Sequence, residues 1–578
     1  MTNFLDSNII KKFIPILIFL FAFSLRIYDI NWDQNQHLHP DERFLTMTTV
    51  SMGWPKSFSE YLNPSLSKLN PYNVGSGFFV YGTFPTTIVK YLSRFELFGE
   101  NQYNNITLTG RLISVIFDVG AVVLIFITAS KIFDRKTGLL AAFLYTISVL
   151  PIQLSHFFAV DTFLNFFLVL SFYFLIKTVS EKKSRFSIFL GLSYGAALAC
   201  KISAVYFLPV IILGYLFILI KLIKEKKLLL FLYLSAVFAI FTYVSFRMLD
   251  PHVFEESIIF PKPNPQFIQN ITDLRSQGTR ESMFPPAIQW LSITPILFPF
   301  KNLVLWGLGL PLGLTSTFAV FYYLLVFIKS ILKKKNVKII SNSLKYISAK
   351  QFNFFILIFW ILFLFFYQSI QFTPSMRYFL PIYPFLAIIC AGFITNIVIT
   401  ELKHPHIVIV ALLVIFFIWP LSFLSIYSRP HSRVSASEWI YKNIPKGSTI
   451  SCDLWDDCLP LSLDKMGTAS QYKILTMEPF AMDTPEKQIR FNLQLQQLDY
   501  LILSSNRAWG SLTKAPDKFP FMSKFYEDLF AGKLNFTKVV EITSYPTIPI
   551  LNISIPDQLS EEAFTIYDHP EILIYKKI

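Results

Sequence analysis

Two adjacent carboxylates, Asp41 and Glu42, stand in the stretch His37-Leu-His-Pro-Asp-Glu-Arg-Phe-Leu45, just after the first apolar run of the chain. Adjacent carboxylates raise each other's pKa, so one of them can accept a proton near neutral pH. Acidic side chains beside a membrane need a reason, and general-base chemistry is one. A plainer reason is that Asp41 caps a helix beginning at Glu42. His37 and His39 could join the carboxylates around a divalent metal, but a pair of loop histidines is more often polar surface. No metal or other cofactor is expected, and no CxxC…CxxC zinc spacing exists.

A further acidic position, Asp161 in Ser155-His-Phe-Phe-Ala-Val-Asp161, opens another apolar run. An ionisable group in or at the edge of a membrane span is costly and functional by default, the alternative being a solvated helix end. Cations gather at similar positions: Arg26, Arg111, Lys201, Arg247 and Arg377. If these helix ends face outwards, positive-inside bias should deplete cations there. Their presence suggests a bound anion. A lipid-linked phosphate is the natural candidate, because Arg and Lys suit phosphate oxygens; snorkelling is the alternative for each one alone. Asp118 lies about two turns beyond Arg111 on the same helix face, deeper in the membrane, and is expected to pair within the helix bundle.

The elements that must position these residues are membrane helices. Of 578 residues, 53% are hydrophobic and 62 are Phe, and the mean hydropathy is +0.50. Apolar runs of membrane-spanning length recur, which predicts an α-helical polytopic membrane protein. About eleven spans are expected, near 12–28, 107–131, 138–154, 158–177, 186–200, 203–221, 228–248, 302–329, 352–371, 378–399 and 406–427. Lys11 and Lys12 precede the first run, but no small-residue cleavage site follows, so it reads as an uncleaved helix. The net charge of +14 is explained by basic loops rather than by a nucleic-acid partner. Lys131, Arg135 and Lys136, then Lys177 to Arg185, Lys221 to Lys227 and Lys329 to Lys338 fall on one side, predicted to be cytoplasmic along with the N-terminus. The junction Cys200-Lys201 is the weak point: one broken helix over 186–221 would invert everything downstream.

This arrangement divides the chain into a membrane region, 1–427, and an extracytoplasmic α/β domain, 428–578, in a cell-membrane protein. Two long external loops, 29–106 and 250–301, belong to the first. Short amphipathic helices are predicted at 42–52 and 84–98. In the C-terminal region helices are expected at 434–444 and 485–497, and strands at 448–452, 499–504, 537–543 and 571–577. Cys200 and Cys390 read as packing residues; Cys452 and Cys458 can form a disulfide only outside the cytosol.

These residues resemble the GT-C superfamily of membrane glycosyltransferases. Within it the chain is similar to the branch with protein O-mannosyltransferases and aminoarabinose transferases (ArnT-like), and nearest to bacterial and archaeal proteins called YYY membrane proteins. The resemblance rests on Asn31-Trp-Asp33, His39-Pro-Asp-Glu-Arg-Phe-Leu-Thr46, Asn70-Pro-Tyr-Asn73, Phe79-Val-Tyr-Gly-Thr83, Gly110-Arg-Leu112, Ala159-Val-Asp161, Cys200-Lys-Ile-Ser203 and Arg377-Tyr-Phe-Leu-Pro381. In the tail it rests on Ala436-Ser-Glu-Trp-Ile440, Trp455-Asp-Asp457 and Phe564-Thr-Ile-Tyr-Asp-His-Pro570. It spans nearly the whole chain; the first-loop motif is the specific part.

The resemblance implies transfer of a sugar from a polyprenyl-phosphate donor at the outer membrane face, by an inverting, metal-independent, mannosyltransferase-like reaction. It maps a catalytic base onto Asp41, with Glu42 as neighbour and rival, and a second acidic role onto Asp161. Lys201 and Arg377 fit the phosphate side, and His39, Arg43, Tyr81, Arg111 and Tyr378 are further candidates for substrate contact. The acceptor could be a protein, a cell-envelope glycan or a lipid. No late Trp-Trp-Asp motif of the oligosaccharyltransferase branch is present, which argues against block transfer of an oligosaccharide. The competing class is a transporter or flippase of lipid-linked sugars. Such proteins favour inverted repeats and mid-membrane charge, whereas the notable charges here sit at helix ends.

Overall fold

The computed structural model describes residues 8–255, 262–332, 348–400, 405–464 and 466–578. Of the basic loop positions, Lys333, Lys334, Lys335 and Lys338 lie outside the described residues. Eight described helices are long and apolar enough to cross a membrane. A ninth crossing is the bent pair Arg135–Thr146 and Val149–Ser155, broken by 60°. The shorter apolar helices Phe13–Ile27 and Ser184–Cys200 complete the set. The predicted spans near 12–28, 138–154 and 186–200 are therefore the two short helices and the kinked one. The chain is a multi-pass membrane protein.

Burial ranks the helices. In Met376–Val398, 89% of the apolar window is enclosed by other helices, against 11% in Leu228–Leu249. The first is the centre of the bundle and the second faces lipid on most sides. Leu228–Leu249 packs on Ser184–Cys200 across Gly191 and Gly195. A Cβ there would stand 2.7 Å from the Phe238 carbonyl oxygen and 2.5 Å from that of Thr242. This is the small-xxx-small contact that lets two membrane helices approach backbone to backbone.

The junction at Lys201 is a true turn. Lys201 is extended, with φ −162 and ψ 129, and ends the helix Ser184–Cys200. The next span, Ile202–Lys224, runs back: Lys182, before the first helix, donates to Glu225, after the second, at 2.5 Å. These are two crossings rather than one broken helix, so the downstream sidedness is not inverted.

The first long loop folds as the helices Pro40–Ser51, Phe58–Leu62 and Thr83–Leu92, with 3-10 turns at Pro71–Val74 and Ser93–Phe95. The C-terminal region contains β1 (Thr449–Asp453), β2 (Lys473–Met477), β3 (Tyr500–Leu503), β4 (Phe536–Ile542), β5 (Thr547–Ile548), β6 (Ile553–Ser554) and β7 (Ile572–Lys577). Five of these form one sheet in the order β2-β1-β3-β7-β4. β1 is parallel to β2 and β3, and β7 is antiparallel to β3 and β4. Alternation sets the layers. Ile502, Ile572 and Ile574 pack with Ile440 of helix Ser432–Asn443 on one face. Leu501, Leu503, Leu573 and Tyr575 pack with helices Pro485–Gln497 and Pro520–Phe530 on the other. Cys452 and Cys458 are joined by a disulfide, while Cys200 and Cys390 are free and buried.

The sheet region is bolted to the membrane helices by buried polar contacts. His569 lies between Asp568, at 2.5 Å, and Asp557, at 2.8 Å. Asp568 also accepts from Tyr427 Oη at 2.9 Å and from Gln153 Nε2 at 3.0 Å. Burial alone would push the imidazole down. The two carboxylates overcome it and raise the pKa to about 10, so the group is a cation clamped by two anions.

Candidate active site

Pro40 opens the helix Pro40–Ser51, and its missing N–H costs nothing at that position. The residue before it, His39, is the cap: its Nδ1 accepts from the Glu42 N–H at 3.3 Å. Asp41 is thus free of the capping duty that its sequence position suggested. His39 is only 3% exposed, with its ring between Phe157 and Tyr567, at 4.5 and 4.3 Å. Burial holds its pKa below the ordinary histidine value against the pull of Asp41 and Glu42.

Consecutive residues on a helix point about 100° apart, and this separates the two carboxylates. Glu42 turns inward and is fully enclosed. It accepts from Arg111 Nη2 at 2.5 Å, from Arg111 Nε at 2.9 Å and from the Phe158 N–H at 2.7 Å. Arg111 also donates to both oxygens of Asp33, at 2.7 and 3.1 Å, and to the Ile30 carbonyl at 2.9 Å. All five of its N–H groups are engaged. Arg111, expected at the substrate, is instead sealed beneath the site, because its donors are saturated by Glu42, Asp33 and the backbone. The deeper pair behaves alike: Asp118 binds Arg26 at 2.5 Å and the Tyr145 hydroxyl at 2.5 Å, within the bundle as its depth suggested.

Asp41 turns the other way and pairs with Arg377, at the start of Met376–Val398. The Arg377 guanidinium lies over the Tyr378 ring, 5.6 Å from its centroid. Lys201 reaches the same ring, at 5.1 Å, and donates to Asp161 at 2.8 Å. The result is two ion pairs, Asp41–Arg377 and Asp161–Lys201, whose cations share the ring of one tyrosine. Tyr81 faces this chain: burial raises its hydroxyl pKa far above normal, and Asp41 and Asp161 add to the shift. Burial would raise the Asp41 carboxyl as well, but Arg377, His39 and Lys201 hold it well below the carboxylate range.

Backbone crossing brings these groups together. The Gly82 N–H donates to the Cys200 carbonyl at 3.0 Å. A Cβ on Gly82 would run into the Ala199 carbonyl, so only glycine allows Tyr81 and Lys201 to be one residue either side of the crossing. Asp250 seals the same corner, accepting from Thr83 Oγ1 at 2.7 Å; burial lifts its carboxyl to about 7. Arg247 is turned away from the site, onto the carbonyls of Pro251 and Glu255.

The sheet region closes the site from above. Arg43 pairs with Asp457 at 2.7 Å, and Asp457 and Asp456 are both held by Arg433. Arg43 thus serves the domain junction. Tyr567 covers His39 and lies within electrostatic reach of Asp41 and Arg377. Sequence reasoning did not place Asp33, Asp457 or Tyr567 at the site, although all three lie in motifs that carried the family resemblance. Glu561, which accepts the Met376 N–H directly before Arg377, lies outside those motifs, and nothing local marked it. Among the described residues, no group of three His, Cys, Asp or Glu side chains converges as a metal site would require.

Residues 95–246 match the family described as dolichyl-phosphate-mannose-protein mannosyltransferase. Among solved structures, the oligosaccharyltransferase of Archaeoglobus fulgidus tethered with an acceptor peptide is similar over 99% of this chain and 89% of that chain, with 12% identity and a TM-score of 0.53. The archaeal oligosaccharyltransferase AglB from the same organism, in complex with an inhibitory peptide and a dolichol-phosphate, covers 89% of this chain and 72% of its own, with 12% identity and a TM-score of 0.50. ArnT from Cupriavidus metallidurans bound to undecaprenyl phosphate is similar over 98% and 97% of the two chains, with 11% identity and a TM-score of 0.45. No curated protein is significantly similar in sequence. The chain thus carries a segment similar to that mannosyltransferase family inside a membrane fold similar to that of the archaeal oligosaccharyltransferase.

Proposed function

We propose that the protein moves one sugar from a polyprenyl-phosphate donor to an acceptor hydroxyl at the outer face of the cell membrane, with inversion and without a bound metal. One observation carries this reading: a part-exposed carboxylate, Asp41, pairs with Arg377, and a second cation, Lys201, reaches the same Tyr378 ring from a different turn of the chain. Asp41 takes the proton of the acceptor hydroxyl as its oxygen attacks the anomeric carbon. The bond from that carbon to the phosphate oxygen breaks, and the charge left on the polyprenyl phosphate is met by Arg377 and Lys201. Asp161 holds Lys201 in place, and Tyr81 and Tyr378 wall the cleft. A single displacement of this kind inverts the anomeric centre.

The lipid has a matching surface. An apolar groove of about 560 Å³ runs along the helix Ala349–Ser369, lined by Phe359, Phe363 and Tyr367 among others. Tyr367 of this lining packs on Tyr206 with the rings tilted and their centroids 4.7 Å apart, and Tyr206 lies within electrostatic reach of Tyr378. A polyprenyl tail laid there would present its phosphate to Arg377. The family match over 95–246 favours a mannosyl donor. The archaeal oligosaccharyltransferase is described with a bound dolichol-phosphate, a carrier of the class proposed here. The Cys452–Cys458 disulfide suits an oxidising compartment, which supports an outer location for 428–578 and a cytoplasmic N-terminus.

The test is purified protein in vesicles, supplied with polyprenyl-phosphate mannose and candidate protein, glycan and lipid acceptors, with no ion gradient. Consumption of donor with release of polyprenyl phosphate supports the reading. Passage of intact donor across the bilayer without consumption replaces it with the transporter reading.

A further inference from the structure

The helix that carries Arg377 lacks a cap of its own. Ser375 precedes the 3-10 segment Met376–Ile382, and its side chain makes no capping bond to it. The first N–H groups of such a segment need an acceptor when buried, and Met376 is 5% exposed. The acceptor comes from 185 residues away. Glu561 takes the Met376 N–H at 2.5 Å with one oxygen and Ser375 Oγ at 2.6 Å with the other. Glu561 is itself fixed. It is 2% exposed, its N–H donates to Asn302 Oδ1 at 2.8 Å, and its neighbour Glu562 pairs with Arg507 at 2.7 Å. Two membrane elements and the sheet region thus meet at one residue, whose carboxylate holds the segment directly before Arg377 and whose N–H is held by Asn302.

We propose that Glu561 is a positioning residue, through which the C-terminal domain sets the aim of the Arg377 guanidinium and so the grip on the donor phosphate. The inference rests on the reading of Arg377 as a phosphate-binding cation. An arginine reaches its ligand through four side-chain torsions, so its backbone must be held if the fork is to meet both phosphate oxygens. The arrangement also gives the domain a catalytic consequence without any contact to substrate.

The experiment is a double-mutant cycle on full-length protein in vesicles, with kcat and KM for polyprenyl-phosphate mannose as readouts. Arg377→Ala should raise donor KM about 10- to 100-fold, the loss of one charge-assisted contact. Glu561→Ala should raise donor KM about tenfold with a smaller change in kcat. The double variant should be no worse than Arg377→Ala alone, because Glu561 acts through Arg377. Glu561→Gln should recover most of the loss, since its amide oxygen can still accept from Met376. Penalties that multiply in the double variant would show an ordinary structural contact and overturn the proposal. If Glu561→Ala does not reach the membrane, Ser375→Ala decides, since it removes one contact and leaves the carboxylate. An unchanged donor KM in Ser375→Ala then overturns the positioning role. If Arg377→Ala itself leaves donor KM unchanged, the donor-phosphate reading fails first, whatever Glu561 does.

Discussion

Asp41 and Arg377 are 336 residues apart in sequence and form an ion pair that stays open, with 27% and 28% of their side-chain surfaces exposed. Beside it, the pair of Glu42 and Arg111 is closed completely. The helix turn between Asp41 and Glu42 thus converts two adjacent carboxylates into a reactive group and a foundation. An open pair can exchange partners. A donor phosphate competing for Arg377 would release the Asp41 carboxylate and restore its basicity when substrate is present.

Removing the base should therefore separate from removing the foundation. Asp41→Asn should lower turnover roughly 10²- to 10⁴-fold while leaving the amount of folded protein and the binding of polyprenyl phosphate near the parent values. Sugar transfer and lipid binding, measured in the same membranes, check this. Parental turnover in Asp41→Asn would end its assignment as base.

Glu42→Gln should behave differently, since an amide has one accepting oxygen for the Arg111 and Phe158 N–H groups that two carboxylate oxygens take, which leaves a buried donor unpaired. An unsatisfied buried donor costs about 1–3 kcal/mol, more for a charged group. The expected readout is a clear drop in thermal stability and in membrane yield, with whatever protein survives still turning over. A stable Glu42→Gln protein that has lost turnover would instead move the base from Asp41 to Glu42.

The pH profile follows from the same ion pair. Arg377 is the leading influence holding the Asp41 carboxyl below the carboxylate range, against burial. A base works above its pKa, so the free parent enzyme keeps its base competent into acid. Arg377→Gln removes that influence, and Asp41 should then lose its proton only at higher pH. The acid limb of kcat/KM should move upward in the variant. An acid limb at the same pH in both proteins would disconnect Asp41 from Arg377.

His569 makes the junction with the membrane helices sensitive to alkali. Its pKa is raised from 6.5 to about 10 by Asp557 and Asp568 despite burial. A raised folded pKa means the contribution is complete below about pH 6.5 and fades as pH rises through about 10. Protease protection of the 428–578 region, compared between parent and His569→Gln, should show a gap at pH 7 that closes by about pH 10.5. A gap that stays constant across this range would mean that the clamp is not charged.

Sidedness has its own check. The lysine clusters predict that a reporter active only in the cytosol is silent when fused after Ile578. A strong signal there would place the cleft on the wrong side for an external acceptor.

The membrane architecture was legible because apolar length is a one-dimensional signal. Each expected span has its helix, and the differences are ones of length and bend. The turn at Lys201 was ambiguous in sequence, and only the Lys182–Glu225 contact decides it. Most of the site side chains were visible as charges where charge is costly. Their pairing was not, because it joins residues tens to hundreds of positions apart, as Asp41 to Arg377 and Glu42 to Arg111. In the C-terminal region β2 went unread because it is an edge strand with an exposed pattern and no alternation. Helix Pro520–Phe530 was not anticipated either, although its apolar face fills the core beneath the sheet.

The order of the sheet has a consequence for how the protein is made. β7 lies between β3 and β4, yet it leaves the ribosome after both. Until residues 572–577 emerge, β3 and β4 have no common partner, and the stretch carrying Glu561, Tyr567 and His569 has no sheet to hang from. Every apolar helix will by then have been threaded into the bilayer. Synthesis interrupted anywhere between 428 and 560 would leave a fully inserted protein whose Met376 N–H is uncapped and whose His39 is uncovered. Assembly of the site thus waits for residues 572–577, so that a chain lacking them cannot meet its lipid substrate in working order.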